Sequence, residues 1–399
     1  MNKVVLTLCL CLAVCMPLIA SADESAAPPS PSVNDGWANM GSTIKINGRI
    51  FAGILSTGNK GSYANNTVAI PDMKLYTTFM PNKDLTVVTR LNANYAGMSG
   101  ANTNLFFDYF YVDINNWAGV LPGQTIRVGK WSTDFGEETY TNNPEESIIL
   151  TNSVANVNGT DGQVDFRGNV ALLKDHPLRY SLSFLNNSGN VQTAQHSMAT
   201  NLKLGIALRP NLYISVSGMD TGVIEGTGAS SAVKIAGLNV NPAGALSTTP
   251  WQRQAAECDV RYNYGADGNK PNLPDSSVTL PQSQIAAAVG IFSDHVFAGN
   301  AKNRSGQYGY VEYLYNVTPK FYVACRGSEA NLHDGELAQL ADSNTSPVPV
   351  NEYERLGIGL GWRMSKLLQI KTEYTINNTR GGATSPKLNQ IAIGLAAKF

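Results

Sequence analysis

The chain has 399 residues, 43% apolar but only 15% charged, with 29 Lys+Arg against 30 Asp+Glu and 4 His. That near-neutral balance excludes the basic footprint that nucleic-acid binding needs. The 37 Gly and 39 Asn, both turn formers that weaken helix interiors, favour one large all-β structure over the two or three soluble domains that length alone allows.

Residues 1–22 read as a secretory signal peptide. Lys3 supplies a positive charge, residues 4–20 form an apolar run broken by Pro17, and Ala20-Ser21-Ala22 is a small-x-small cleavage site. A lipoprotein reading on Cys15 is disfavoured by the bulky Val14 before it. Cys9, Cys11 and Cys15 leave with the signal, so Cys258 and Cys325 remain, too few for a disulfide framework. Residues 23–42, with Pro28, Pro29 and Pro31, read as a disordered Pro/Ser/Ala leader. No later stretch reaches the eighteen or so apolar residues of a membrane helix.

From residue 43 the chain breaks into segments of two-residue period. In 256–264 one face carries Ala256, Cys258, Val260, Tyr262 and Tyr264, while the other carries Glu257, Asp259, Arg261 and Asn263. Leu368, Ile370, Tyr374 and Ile376 oppose Gln369, Lys371, Glu373 and Thr375 in the same way. Such alternation is a strand between two different surroundings. A soluble sandwich would satisfy it, but the polar faces are charged over long strands and the apolar faces are large and aromatic. Connections also alternate short and long, as in outer-membrane barrels. The last segment places Ile391, Ile393, Leu395, Ala397 and Phe399 on one face, which resembles the assembly signal of such barrels.

The strands fall near 43–55, 69–80, 84–97, 104–116, 124–131, 161–174, 177–187, 200–209, 211–219, 254–264, 284–297, 306–316, 320–329, 351–363, 366–378 and 388–399. The fold class is therefore an all-β, transmembrane antiparallel barrel of sixteen strands over 43–399, with eighteen as the alternative if 231–240 contributes. Short turns follow even strands and long loops follow odd ones, except for 265–283. A barrel of this size encloses a water-filled channel.

Between strands five and six, residues 132–160 carry Asp134, Glu137, Glu138, Glu145 and Glu146 with no Lys or Arg. Phe135, Ile148, Ile149, Leu150 and Val154 are too apolar for an exposed tip, so this third loop is expected to fold inward and form the constriction. The strand faces assigned to the lumen are rich in arginine, including Arg49, Arg90, Arg127 and Arg167. An acidic loop facing a basic wall across water would set up a transverse field.

Three segments, Thr125-Ile126-Arg127-Val128-Gly129-Lys130-Trp131, then Phe135-Gly136, then Gly162-Gln163-Val164-Asp165-Phe166-Arg167-Gly168, resemble the phosphate- and polyphosphate-selective porins. The resemblance implies a sixteen-stranded homotrimer with an inward third loop and a basic lumen, and it assigns Arg127, Lys130 and Arg167 to that wall. Thr133-Asp134 replaces the family's apolar-Pro pair, and the acidic run beyond it would repel phosphate.

Enzyme chemistry finds no support. His176, His196, His295 and His333 are dispersed, no His-Glu-x-x-His occurs, and no metal or cofactor is expected. The run Gly357-Ile358-Gly359-Leu360-Gly361 lies mid-strand with its glycines toward the lumen, where they ease close packing. The functional expectation is an exported bacterial outer-membrane porin for passive diffusion of small hydrophilic solutes and ions, bedded in outer-membrane lipid. Two alternatives stand beside it: an anion-, phosphate- or sugar-selective channel, and a barrel-anchored adhesin or receptor.

Overall fold

A computed structural model describes residues 43–57, 67–95, 104–119, 121–138, 147–155, 157–173, 176–186, 198–224, 234–235, 238–239, 250–265, 281–297, 303–334, 338–340, 349–380 and 389–399. The segments read as signal peptide (1–22) and leader (23–42), and Glu145 and Glu146, lie outside the described residues.

Sixteen strands form one closed antiparallel barrel in strict chain order. They are β1 (Thr43–Thr57), β2 (Thr67–Asn82), β3 (Leu85–Tyr95), β4 (Asn104–Asn115), β5 (Gln124–Ser132), β6 (Thr160–Leu173), β7 (His176–Leu185) and β8 (Ala199–Arg209). The second half comprises β9 (Leu212–Ile224), β10 (Trp251–Tyr264), β11 (Ser283–Val296), β12 (Arg304–Asn316), β13 (Phe321–Asp334), β14 (Glu352–Arg363), β15 (Leu368–Arg380) and β16 (Gln390–Lys398). The seam is β1 against β16, with Ile54 opposite Ile393 and Arg49 opposite Lys398. It is finished by Phe399, whose amide donates to the Gly48 carbonyl at 3.0 Å and whose carbonyl accepts from Gly48 at 2.8 Å. A Cβ on Gly48 would stand 2.5 Å from the Phe399 ring, so only glycine admits that ring.

Sequence alternation becomes a two-faced wall. Outward residues are apolar and exposed, such as Val289, Val311, Leu356 and Ile393, and rings including Tyr315, Phe321, Trp362 and Phe399 gather toward the short-turn end. Phe321 and Trp362 stack there at 5.7 Å. An apolar band with aromatic residues at its edge is what a strand wall needs against hydrocarbon. Cys258 and Cys325 share this outer face and are free thiols.

The eighteen-strand alternative is corrected. Lys234–Ile235 and Leu238–Asn239 do not enter the barrel; they join Val157–Asn158, Ala338–Leu340 and Pro349–Val350 in a separate five-stranded sheet. Ile235 pairs with Val157 and Leu238 with Leu340, so three different long loops are stitched together.

Candidate functional site: the lumen and its third loop

The β5–β6 loop follows the inner face of the wall in two arms. The first arm, 133–138, lies on β8, β9 and β10. Asn201 donates to the Asp134 carbonyl at 2.9 Å, Lys203 donates to the Gly136 carbonyl at 2.5 Å, and the Gly136 amide donates to Ser217 at 3.0 Å. The Glu137 amide reaches Asp259 at 3.0 Å. The second arm, 147–155, lies on β13, β14 and β15. Leu150 and Thr151 amides both donate to Glu373 Oε2 at 2.7 Å, and Val154 donates to Ser328 at 3.1 Å. Arg326 donates to the Thr151 carbonyl at 2.8 Å, Arg355 to Asn152 at 2.9 Å, and Lys371 to Ser147. The two arms meet where the Ser153 amide donates to Glu138 at 2.8 Å. Each such bond is worth about 1 kcal/mol net, and their number holds the loop.

Apolar contacts finish the docking. Phe135, Val154, Ala155 and Val157 join Met219, Trp251, Phe292, Tyr308 and Tyr353 in one buried cluster, so the β9–β14 side of the lumen is filled core. Ile149 rests on β14, where a Cβ on Gly357 would stand 2.7 Å and one on Gly359 2.9 Å from its side chain. The lumen-facing glycines expected to ease close packing are this seat.

The sequence-derived site residues divide three ways. Arg49, Arg90, Arg127 and Arg167 line the inner face, each held by a wall carboxylate. Arg49 pairs with Asp72 at 2.6 Å, Arg90 with Asp108 at 2.5 Å, Arg127 with Asp113 at 2.6 Å, and Arg167 with Asp165. Arg90 also lies 3.2 Å over the Tyr109 ring and Arg127 lies 3.9 Å over Tyr111.

Lys130 is a correction. Arg127 stands opposite Asp113 and Asp165, whereas Lys130, three residues on, pairs with the outward Phe110. A motif likeness placed it on the wall, and the two-residue period overrides that placement.

Asp134, Glu137 and Glu138 are a second correction. They do not face the basic wall across water; they touch it. Lys203 reaches Asp134 at 3.1 Å and Glu137 at 2.9 Å, and Arg326 reaches Glu138 at 3.4 Å. Tyr213 donates to Glu137 at 3.1 Å. Burial pushes the Glu138 carboxyl above its ordinary value while Arg326 pulls it down. A carboxylate enclosed in protein is tolerable only with such partners, so these acids serve as docking pins. Changing Glu137 and Glu138 together to glutamine is therefore expected to increase open-channel current noise in planar bilayers and to leave the reversal potential in a salt gradient unchanged.

The loop leaves the β1–β7 side more open. Side chains of Asp72, Lys74, Arg127 and Arg167 there retain 14%, 15%, 17% and 19% exposure, while Arg49, Arg90 and Asp165 on the same face keep 5%, 7% and 0%; on the filled side Arg253 and Arg326 keep 1% and Asp294 0%. Solved structures resemble the chain in fold. It matches the anion-selective porin of Comamonas acidovorans with a TM-score of 0.58 at 10% identity, covering 90% of this chain and 100% of that one. The outer membrane channel DcaP of Acinetobacter baumannii gives 0.57 at 14% identity, covering 90% and 98%. Outer-membrane expressed OmpT of Vibrio cholerae gives 0.58 at 10% identity, again covering 90% and 98%.

The barrel has the porin fold.

No family model and no curated protein matches the chain. Within this porin-like barrel, the sequence places Lys203, Glu373, Gly357 and Gly359 on the lumen face but does not mark them as receptors of the loop, and it does not single out Ser217 and Ser328 at all. Their inward parity was readable, but their partners lie up to 223 residues away in sequence.

Proposed function

We propose that the protein is an outer-membrane porin, exported and assembled as a homotrimer, that lets small hydrophilic solutes and ions diffuse passively with a modest preference for anions. The observation that supports it is the inner face of β1–β7. Among the described residues, that face carries Lys45, Arg49, Lys74, Arg90, Arg127, Arg167 and Arg179 against Asp72, Asp108, Asp113, Asp161 and Asp165. Charged residues of one excess sign along a water column favour the opposite ion. No step in this reading is chemical, so the reading is not that of an enzyme.

Tight phosphate selectivity is less favoured, because Arg49, Arg90 and Arg127 already give their guanidinium donors to aspartates. OmpT of Vibrio cholerae, solved in a trimer form, and the anion-selective porin of Comamonas acidovorans accord with the assembly and the sign. Purified protein in a planar bilayer is expected to open in ohmic steps, and its reversal potential in a KCl gradient is expected to report chloride preference. Arg127→Gln is expected to move that potential toward zero, and phosphate is expected to leave chloride current unblocked. Absence of stepwise openings would sink the proposal.

A further inference from the structure

The inner face of the barrel is uneven in charge along its strands. Higher along them, Arg49, Arg90, Arg253 and Arg326 each touch a carboxylate, at 2.6, 2.5, 2.7 and 2.6 Å. Within three positions of the strand ends opposite the third loop, that balance is lost. Inward residues there include Lys45 on β1, Arg179 on β7, Arg261 on β10, Arg363 on β14 and Lys398 on β16. Among the described residues, Asp113 on β4 is the only inward carboxylate at this level, and Arg127 already holds it at 2.6 Å.

Neutral groups position these cations. Lys45 stands opposite Thr78, Arg179 opposite Asn169 and Gly205, and Arg261 opposite Tyr213 and Ala286. Arg261 lies 5.7 Å over the Tyr213 ring. Arg363 lies 4.4 Å over the Tyr322 ring and donates to Asn316 Oδ1 at 2.7 Å. Lys398 is exposed and faces Arg49 across the seam, and Arg49 turns to Asp72 instead. A ring face or an amide oxygen holds a guanidinium in place without cancelling its charge. Because β1, β7, β10, β14 and β16 are spread around one closed sheet, the positive charge encircles this mouth.

The channel reading above makes this end the periplasmic mouth. Resting on that reading, we propose that this girdle, and not the third loop, is the ion-selectivity filter of the pore and makes its current rectify. Lys45, Arg179, Arg261, Arg363 and Lys398 concentrate anions at the mouth and turn cations back. A field that drives anions from the girdle toward the loop end also drives cations down onto a filter that refuses them. Salt then accumulates in the charge-matched pore above, and conductance rises. The opposite field strips salt from the same zone, and conductance falls. The effect needs a field that spans the mouth: the screening length is about 10 Å in 0.1 M salt and about 3 Å in 1 M.

The test records single channels of the purified full chain in planar bilayers, in symmetric KCl at about 0.1 M and about 1 M. Streptavidin added to one chamber marks the periplasmic side of protein biotinylated at Ser365→Cys, on a background of Cys258→Ser and Cys325→Ser. At the lower salt the parent is expected to pass about twofold more current when the extracellular side is positive, and at the higher salt to give linear, ohmic steps. Lys45→Gln, Arg363→Gln and Lys398→Gln combined are expected to bring the low-salt ratio close to one and to weaken the anion preference read from the reversal potential. Arg363→Lys, which keeps the charge, is expected to retain both. Parental heat-modifiable migration and high-salt conductance certify that each variant is folded. Stepwise openings with a linear low-salt current in the parent overturn this proposal and leave the channel reading standing. Rectification of the opposite sign, or equal rectification in the triple variant, overturns it in the same way. Absence of steps from the parent sinks the channel reading and this proposal with it.

Discussion

Glu373→Ala is expected to raise single-channel conductance while leaving the barrel folded. The Glu373 carboxylate, 3% exposed, accepts two backbone amides of the loop at 2.7 Å and the Thr151 hydroxyl at 2.5 Å. Its removal leaves those two amides facing an apolar methyl, and each buried orphan donor costs about 1–3 kcal/mol. The arm can recover the loss by leaving the wall for water, which exchanges a docked arm for a mobile one. Ile149 on its glycine seat, Lys371 and Arg326 still oppose that departure. Gly359→Val attacks the same arm from beneath, because the new side chain would occupy the place of Ile149, and it should act in the same direction. Because β14, β15 and β16 keep their full ladders, heat-modifiable migration should be that of the parent. Conductance equal to or below the parent's in both variants would show that the second arm does not limit the pore.

The largest expected loss of stability follows from Asp294→Ala. Asp294 is 0% exposed on β11 and stands between Arg253 of β10, at 2.7 Å, and Arg304 of β12, also at 2.7 Å. Arg253 also lies 4.8 Å over the Phe292 ring, so its guanidinium is enclosed by aromatic carbon as well as paired. Deleting the shared carboxylate leaves two enclosed cations without their common anion, at a cost of about 3–5 kcal/mol. The midpoint of urea unfolding from detergent micelles, followed by heat-modifiable migration, should fall clearly. Asp294→Asn should fall less, since an amide oxygen can still accept from one arginine. An unchanged midpoint for the alanine variant would refute the pairing.

The sixteen strands were legible because each has a wet side and an apolar side, and the two-residue period records that difference directly. In 256–264 the lettering alone separates Glu257 and Asp259 from Cys258 and Val260, and the barrel preserves the division. The inward course of the third loop was legible from Phe135, Ile149 and Val154, which no exposed tip would carry. The role of its acids was not. Whether Glu138 faces water or a guanidinium depends on Arg326, 188 positions later, and no local pattern encodes that pairing. Lys130 shows the opposite error: a motif likeness extended across three residues ignored a parity that the alternation had already set. The stitching of loops by Val157, Ile235, Leu238 and Leu340 was equally hidden, because two-residue strands carry too little alternation to recognise.

The β1–β16 seam sets an order of events as well as a shape. On the edge of β1 away from β2, Gly48 and Arg49 find their partners only in Phe399 and Lys398, the most distant pairing in the ladder, so that edge must wait unpaired until β16 is made. Such long-range closure is slow, and a waiting strand edge invites pairing with other chains. The wall therefore cannot seal piecemeal as the chain emerges. Until β16 arrives, the molecule is an open ribbon with two adhesive margins that something outside its own sequence must keep apart. Gly48 and the Phe399 ring that covers it are the clasp that ends that dependence.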